Sequence, residues 1–312
     1  MRTMGYLIKR NMKLFFKDKG MLISSLITPI ILLVLYITFL GRVYKDIFIQ
    51  NFPESFEIDD KLINGFVSSQ LFSSLFAVSC ITISFCNNLI MIQDKVTGAN
   101  NDFITSPVRK PLIIGSYYFS TIFSSSIICF LAMIVCFIYM GIVGWYLSVI
   151  DVLLIMLDIV LLVLFGTTLS TILCYPLKTQ GQMSAVGTMI SSGYGFICGA
   201  YMPISQFGSV LQNILSFFPS TYATSLIRNH TMRGIIFEME KIGFPNEVVT
   251  NIKNSVDYNT YFFGNLVEVW QMYLILGGFI IIFIMFFIVF YKIIRYTMIN
   301  SYSGFFYGGF DG

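Results

Sequence analysis

Two carboxylates, Asp151 and Asp158, stand alone in apolar sequence, and they are the first residues here that could do chemistry. Seven residues apart, they share one face of a helix. A carboxylate inside a hydrocarbon layer is costly, so such a residue is a functional candidate by default. Asp151 lies near one end of its stretch and can reach the interface. Asp158 lies deeper; its ordinary role there is a structural hydrogen-bond partner inside a bundle, ahead of a proton relay. The six cysteines, Cys80, Cys86, Cys129, Cys136, Cys174 and Cys198, also fall in apolar stretches. There is no Cys-x-x-Cys and only one histidine, His230, so the cysteines read as small buried hydrophobes. No metal site, disulfide framework or Ser-His-Asp arrangement follows from these residues. The chain also lacks Gly-x-x-x-x-Gly-Lys-Ser/Thr, the loop that cradles phosphates. No enzymatic activity of its own is expected.

The elements that hold these residues are six apolar stretches, at about 21–41, 66–92, 112–140, 149–175, 183–201 and 269–291. About 20 apolar residues let a helix cross a bilayer. Five of the six contain no Asp, Glu, Lys or Arg. Hydrophobic residues make up 56% of the chain and charged residues 11%, against roughly a quarter charged in an average soluble domain. A soluble core of this size could hide two or three such helices, not six. The first stretch is too long for a signal core, carries Pro29 and has no cleavage site before Arg42, so it is expected to stay.

Lys and Arg between the stretches set the orientation. With the amino terminus inside, twelve basic residues fall in the inner segments and seven in the much longer outer ones. The expected fold is therefore an all-α integral membrane protein with six transmembrane helices and both termini cytoplasmic. Its parts are an amino-terminal interfacial helix (1–20), a transmembrane domain (21–292) and a cytoplasmic tail (293–312).

Three inter-span features stand out. In residues 1–20, Ile8, Met12, Phe15 and Phe16 share a helix face while Lys9, Arg10, Lys13 and Lys17 gather opposite, the pattern of a helix lying in the interface against membrane lipid. Between the second and third stretches, Asp94 and Thr97-Gly98 precede a short helical run with Asp102 and Thr105 that Pro107 ends. In the fifth stretch Gly187, Ser191, Gly195 and Gly199 recur every fourth residue, a small-residue face for helix packing. Gly199 to Pro203 then breaks the helix, and Phe207–Phe218 is apolar but too short to span. With Pro219 and Tyr222 after it, this predicts a re-entrant extracellular helical element over about 203–228, between helices 5 and 6.

The run Gly199-x-x-x-Pro203, Phe218-Pro219-x-Thr221-Tyr222 and Arg228 resembles the signature of the type-2 ATP-binding cassette (ABC-2) export permeases. The segment ending Thr105-Ser106-Pro107 is similar to that family's coupling helix, and the flat amino-terminal helix to its connecting, or elbow, helix. A family Glu before Gly-Thr is replaced here by Asp94 followed by Thr97-Gly98. The resemblance covers nearly the whole chain and points to the drug and natural-product export branch. It implies two cytoplasmic ATPase subunits, with ATP and Mg held there and no cofactor in this chain. It also implies a second permease chain, making a homo- or heterodimer, and a place in the cell membrane, a bacterial plasma membrane. It assigns ATPase coupling to the region Asp94–Pro107 and an outer gate to Gly199–Arg228. Nucleic acid is not an expected partner.

The uncharged spans favour hydrophobic or amphiphilic cargo: a drug, a lipid-like natural product or a small peptide. Export of lipid-linked polysaccharide or teichoic-acid-type polymer is the second reading. A secondary transporter would show paired buried charges and repeated halves. A peptide-immunity membrane protein is a further rival.

Overall fold

The computed structural model describes residues 2–50 and 59–307, with the side chains of Ile37, Ile47, Gln50, Ile104 and 293–307 outside the description. The side chains of the tail assigned to 293–312 thus lie outside the description, and residues 51–58, between the first two apolar stretches, lie outside the described residues.

Helix α1 (Arg2–Lys17) is amphipathic and buries Asn11 and Phe15. The inward stripe is therefore Asn11–Phe15, while Phe16, expected on that face, is 39% exposed. Asp18 caps α2 (Lys19–Leu35) by accepting from the Met21 N–H. A single π-turn, Tyr36–Leu40, leads from it into α3 (Gly41–Gln50).

Helix α4 (Asp60–Asn88) is the centre of the molecule and packs against α2, α7 (Lys110–Val143), α8 (Val149–Cys174) and α11 (Pro219–Ile242). It is buried all round, and its buried faces mix apolar side chains with Ser, Thr, Gln70, Asn87 and Asn88. Three of its hydroxyls bond within the helix, Ser73 to Gln70 O, Thr82 to Val78 O and Ser84 to Cys80 O, so burial leaves these three partnered. At Gly166 of α8 a Cβ would lie 3.1 Å from Ile81 Cα, so the missing side chain lets α8 close on α4. A bend at Leu89 continues α4 into α5 (Ile90–Val96), and α6 (Ala99–Thr105) follows.

Five helices among the described residues are long and apolar enough to cross a membrane: Lys19–Asp46, Asp60–Val96, Lys110–Val143, Val149–Cys174 and Val269–Lys292. Their outward faces carry Leu131, Ile138, Ile142, Ile281 and Met285, all more than half exposed, which is tolerable against lipid and not against water. The fifth predicted stretch forms α9 (Gln180–Ile197), 18 residues long and too rich in Ser, Thr and Gly to join those five.

The segment after α9 departs most from a simple hairpin of spans. A 3-10 turn (Ile204–Gln206) and the seven-residue α10 (Ser209–Leu215) end at Pro219, which opens α11. Helix α11 runs on to Ile242, past the expected end at Arg228, and most of it is buried. Then come α12 (Asn246–Ser255), a hairpin of β1 (Thr260–Phe262) and β2 (Asn265–Val267), and α13 (Val269–Tyr307).

The 37 residues of Asp60–Val96 reach ~55 Å as a helix, beyond a hydrocarbon core of about 30 Å. At the α4 start, Phe66 joins Phe48, Met232, Met239 and Ile252 in a second core separate from the main one. The molecule is thus a bundle with a lobe at the α12 end and α1 at the other.

Candidate functional site

At the α1 end, Asp94 ties three helices together. Arg10 of α1 grips it with both guanidinium nitrogens, Nη2 to Oδ1 at 2.9 Å, and Tyr117 of α7 donates to Oδ2 at 2.5 Å. Asn11 Nδ2 donates to Ser116 Oγ at 3.3 Å, and Arg10 lies 5.1 Å over the Phe103 ring of α6. The hydrogen bond to Asp94 is the largest cause holding the Arg10 pKa above its ordinary value. Lys95 turns the other way and donates to the Tyr175 and Leu177 carbonyls, satisfying the end of α8. Gly98 has φ 84 and makes the corner between α5 and α6.

Asp94 is only 5% exposed, so its carboxylate serves this internal knot and offers nothing to an outside protein. Sequence spacing could not reveal that, because Arg10 lies 84 residues away. Thr97, Asp102, Thr105 and Pro107 are exposed, with Asn101, and so are Lys9 and Lys13. The outward surface of this end is formed by these residues.

At the lobe end, Arg228 is buried at 1% exposure. Its Nη2 donates to Gly199 O at 3.1 Å, its Nη1 meets Asp257 Oδ2 at 3.4 Å, and Ser73 and Ser74 of α4 stand at 3.4 Å. Asp257 in turn accepts from the backbone N–H groups of Ile204 and Ser205 that open the 3-10 turn, the latter at 2.9 Å. Gly199 has φ 72, and a Cβ there would sit 2.8 Å from Ile204 Cγ1, so only glycine makes this turn. Pro203 is buried beside the turn. Tyr222 donates to Ser216 O at 2.6 Å and Thr221 to Leu215 O at 2.8 Å, closing α10 onto the start of α11 beside Pro219. Gly199 and Arg228 are therefore brought together with the 3-10 turn after Pro203, around an acid, Asp257, that the sequence did not single out, while Pro219 and Tyr222 close α10 onto α11.

Between these ends lies a groove of about 970 Å³, bounded by α2 and α9. Ile27, Ile31 and Phe39 form one wall, and Gly187, Ser191 and Phe196 the other; no charged residue lines it among the described residues. Gly187 is open, with Leu89 Cδ1 4.0 Å from where its Cβ would be. Gly195 differs: a Cβ would meet the Tyr201 ring at 2.4 Å, so its smallness admits this chain's own tyrosine. The four-residue repeat thus serves two purposes.

Asp158 lies within the bundle, fully buried. His230 Nδ1 contacts its Oδ2 at 2.6 Å, and Tyr273 donates to its Oδ1 at 2.8 Å. Asp151 closes a capping box with Ser148 at the start of α8 and pairs with Arg233 at 2.6 Å. Both pairs join α8 to α11. His230, Arg233 and Tyr273 were missed because nothing in the local sequence links them to acids more than 70 residues away.

Among the comparisons with known proteins, the family model described as ABC-2 type transporter matches residues 3–231. That range runs from α1 through the Asp94 knot, α9 and the Gly199–Arg228 turn. The chain matches no curated protein and no solved structure. The match covers most of the chain and contains the Asp94 knot, the groove and Arg228, though not Asp257, and this multi-pass membrane protein belongs to the ABC-2 type transporter family.

Proposed function

We propose that the chain is the permease subunit of an ATP-driven exporter of hydrophobic or amphiphilic molecules, working as a pair of permeases with two cytoplasmic ATPases. The family assignment supports the permease role, and its members are transmembrane subunits that leave hydrolysis to a partner. In this reading α1 lies on the cytoplasmic surface, the α12 lobe is extracellular, and α9 is the sixth crossing. At 18 residues it reaches ~27 Å, enough for a hydrocarbon core once it faces protein or a water-filled path.

The observation that carries the proposal is the groove between α2 and α9. A lipid-facing helix needs bulk, yet α9 exposes Ser184, Thr188 and Ser192 and packs sparsely on its own chain. Such a face suits a second permease or a pathway between two. Uncharged walls favour apolar cargo over ions. Closure of the ATPases would push on the exposed α5–α6 corner, and the state preferred by ATP would set which side opens. Arg228 and Asp257 would hold the outer turn during that motion.

Gly187→Trp tests it. The position is open, so the substitution fills the groove without disturbing the helices. Reconstituted with its ATPase, the variant should lose ATP-dependent transport of a hydrophobic dye while retaining hydrolysis. Undiminished transport would remove the groove from the pathway.

A further inference from the structure

At the α1 end a cavity of about 530 Å³ opens between α5, α7, the α8–α9 turn and α13. Lys95, Lys110 and Lys178 line it with Tyr117, Tyr175 and Tyr291, and no carboxylate lines it among the described residues. Lys95 is committed to the end of α8. Lys110 and Lys178 are exposed and form no ion pair among the described residues.

A second cavity of about 460 Å³ runs along the bundle between α7, α8 and α13. Its walls include Tyr118, Phe287 and Ile288, and Lys292 stands at its rim. Ile114 and Tyr291 line both cavities, so the basic space continues into the apolar one. At that junction the Tyr291 hydroxyl is buried and has no hydrogen-bond partner among the described residues.

Charge alone would suit any phosphate. An apolar trench opening from it calls for a ligand with a chain attached. Lysine ammonium groups at a membrane surface, with apolar stems along the wall, are the usual cradle for an acidic headgroup. We infer that the joined cavities bind one anionic phospholipid, its phosphate on Lys110 and Lys178 and an acyl chain along α7 and α13. The Tyr291 hydroxyl donates to the lipid where headgroup meets chain. Because Lys95 and Asn100 of the α5–α6 corner border the headgroup space, the lipid braces that corner, whatever the transporter carries.

The test is native mass spectrometry of the purified full chain, titrated with phosphatidylglycerol and with phosphatidylcholine of the same acyl chains. One phosphatidylglycerol should be retained per chain, with a preference of about tenfold. Lys110→Gln with Lys178→Gln should bring the two lipids to near parity, and Ile114→Trp should expel phosphatidylglycerol by filling the trench. Lys61→Gln with Lys241→Gln, exposed at the lobe end, should leave the preference intact. Glycerol phosphate, a headgroup without chains, should not compete. Equal retention of both lipids by the unsubstituted chain would overturn the inference. So would an unchanged preference in the Lys110/Lys178 variant, equal loss in the Lys61/Lys241 variant, retention by Ile114→Trp, or displacement by glycerol phosphate.

Discussion

Arg228 and Arg10 each meet one carboxylate, at opposite ends of the molecule, and they differ in how much water reaches them. The Arg228 side chain is 1% exposed and Asp257 11%. Removing one partner of such a pair leaves a buried charge, at a cost of about 3–5 kcal/mol. Arg228→Met should therefore lower thermal stability in detergent by about that much, and Asp257→Asn by a similar amount, because it leaves the more deeply buried Arg228 cation without its anion. The Arg10 side chain is 32% exposed, so solvent screening reduces its share, and Arg10→Ala should cost about 2 kcal/mol. Lysine there should restore less than half, since it cannot grip both carboxylate oxygens. The pH dependence has a definite sign. A pKa raised in the folded state gives stability that is complete below the unfolded value and lost only as pH climbs through the folded one. The Arg10→Ala difference should thus be flat from about pH 7 to 10, as unfolding midpoints across that range can check.

At the scale of elements, α4 and α8 meet closely at Gly166. Gly166→Leu must push against the α4 backbone at Ile81 and should destabilise by about 1–3 kcal/mol through overpacking, read by thermal unfolding. Long apolar stretches made the crossing helices legible in the sequence, because lipid demands length and hydrophobicity of each helix by itself. Gly199, Pro203 and Pro219 marked the break because they act locally on the backbone. Helix α11 was not legible beyond Arg228: it carries Thr, Ser, Asn, His and Arg and is buried only because α4, α8 and α13 supply partners. Asp257, Tyr117 and Tyr273 escaped for the same reason, as tertiary contacts leave no periodic trace. Gly195 shows the limit of a motif, since its small size serves Tyr201 and not a neighbouring helix.

For the whole molecule, the exposed small-residue face of α9 points to an assembly. All six native cysteines are buried, so Ser192→Cys adds one accessible thiol. It should cross-link to the second permease with a short bifunctional reagent, doubling the apparent mass for a pair of identical chains. No cross-link with either an identical or a related permease would place α9 against lipid.

In the proposed cycle, ATP hydrolysed on a partner drives transport through this chain by way of the α5–α6 corner. The most direct measurement is uptake of a hydrophobic dye into inverted vesicles holding this chain and its ATPase, with Thr97, Asn101, Asp102 and Thr105 replaced together by alanine in a second preparation. The expected result is uptake that requires ATP, ignores a proton gradient and collapses in the substituted protein while ATP is still hydrolysed. Uptake driven by the proton gradient alone, or fully coupled to ATP after those replacements, would contradict it.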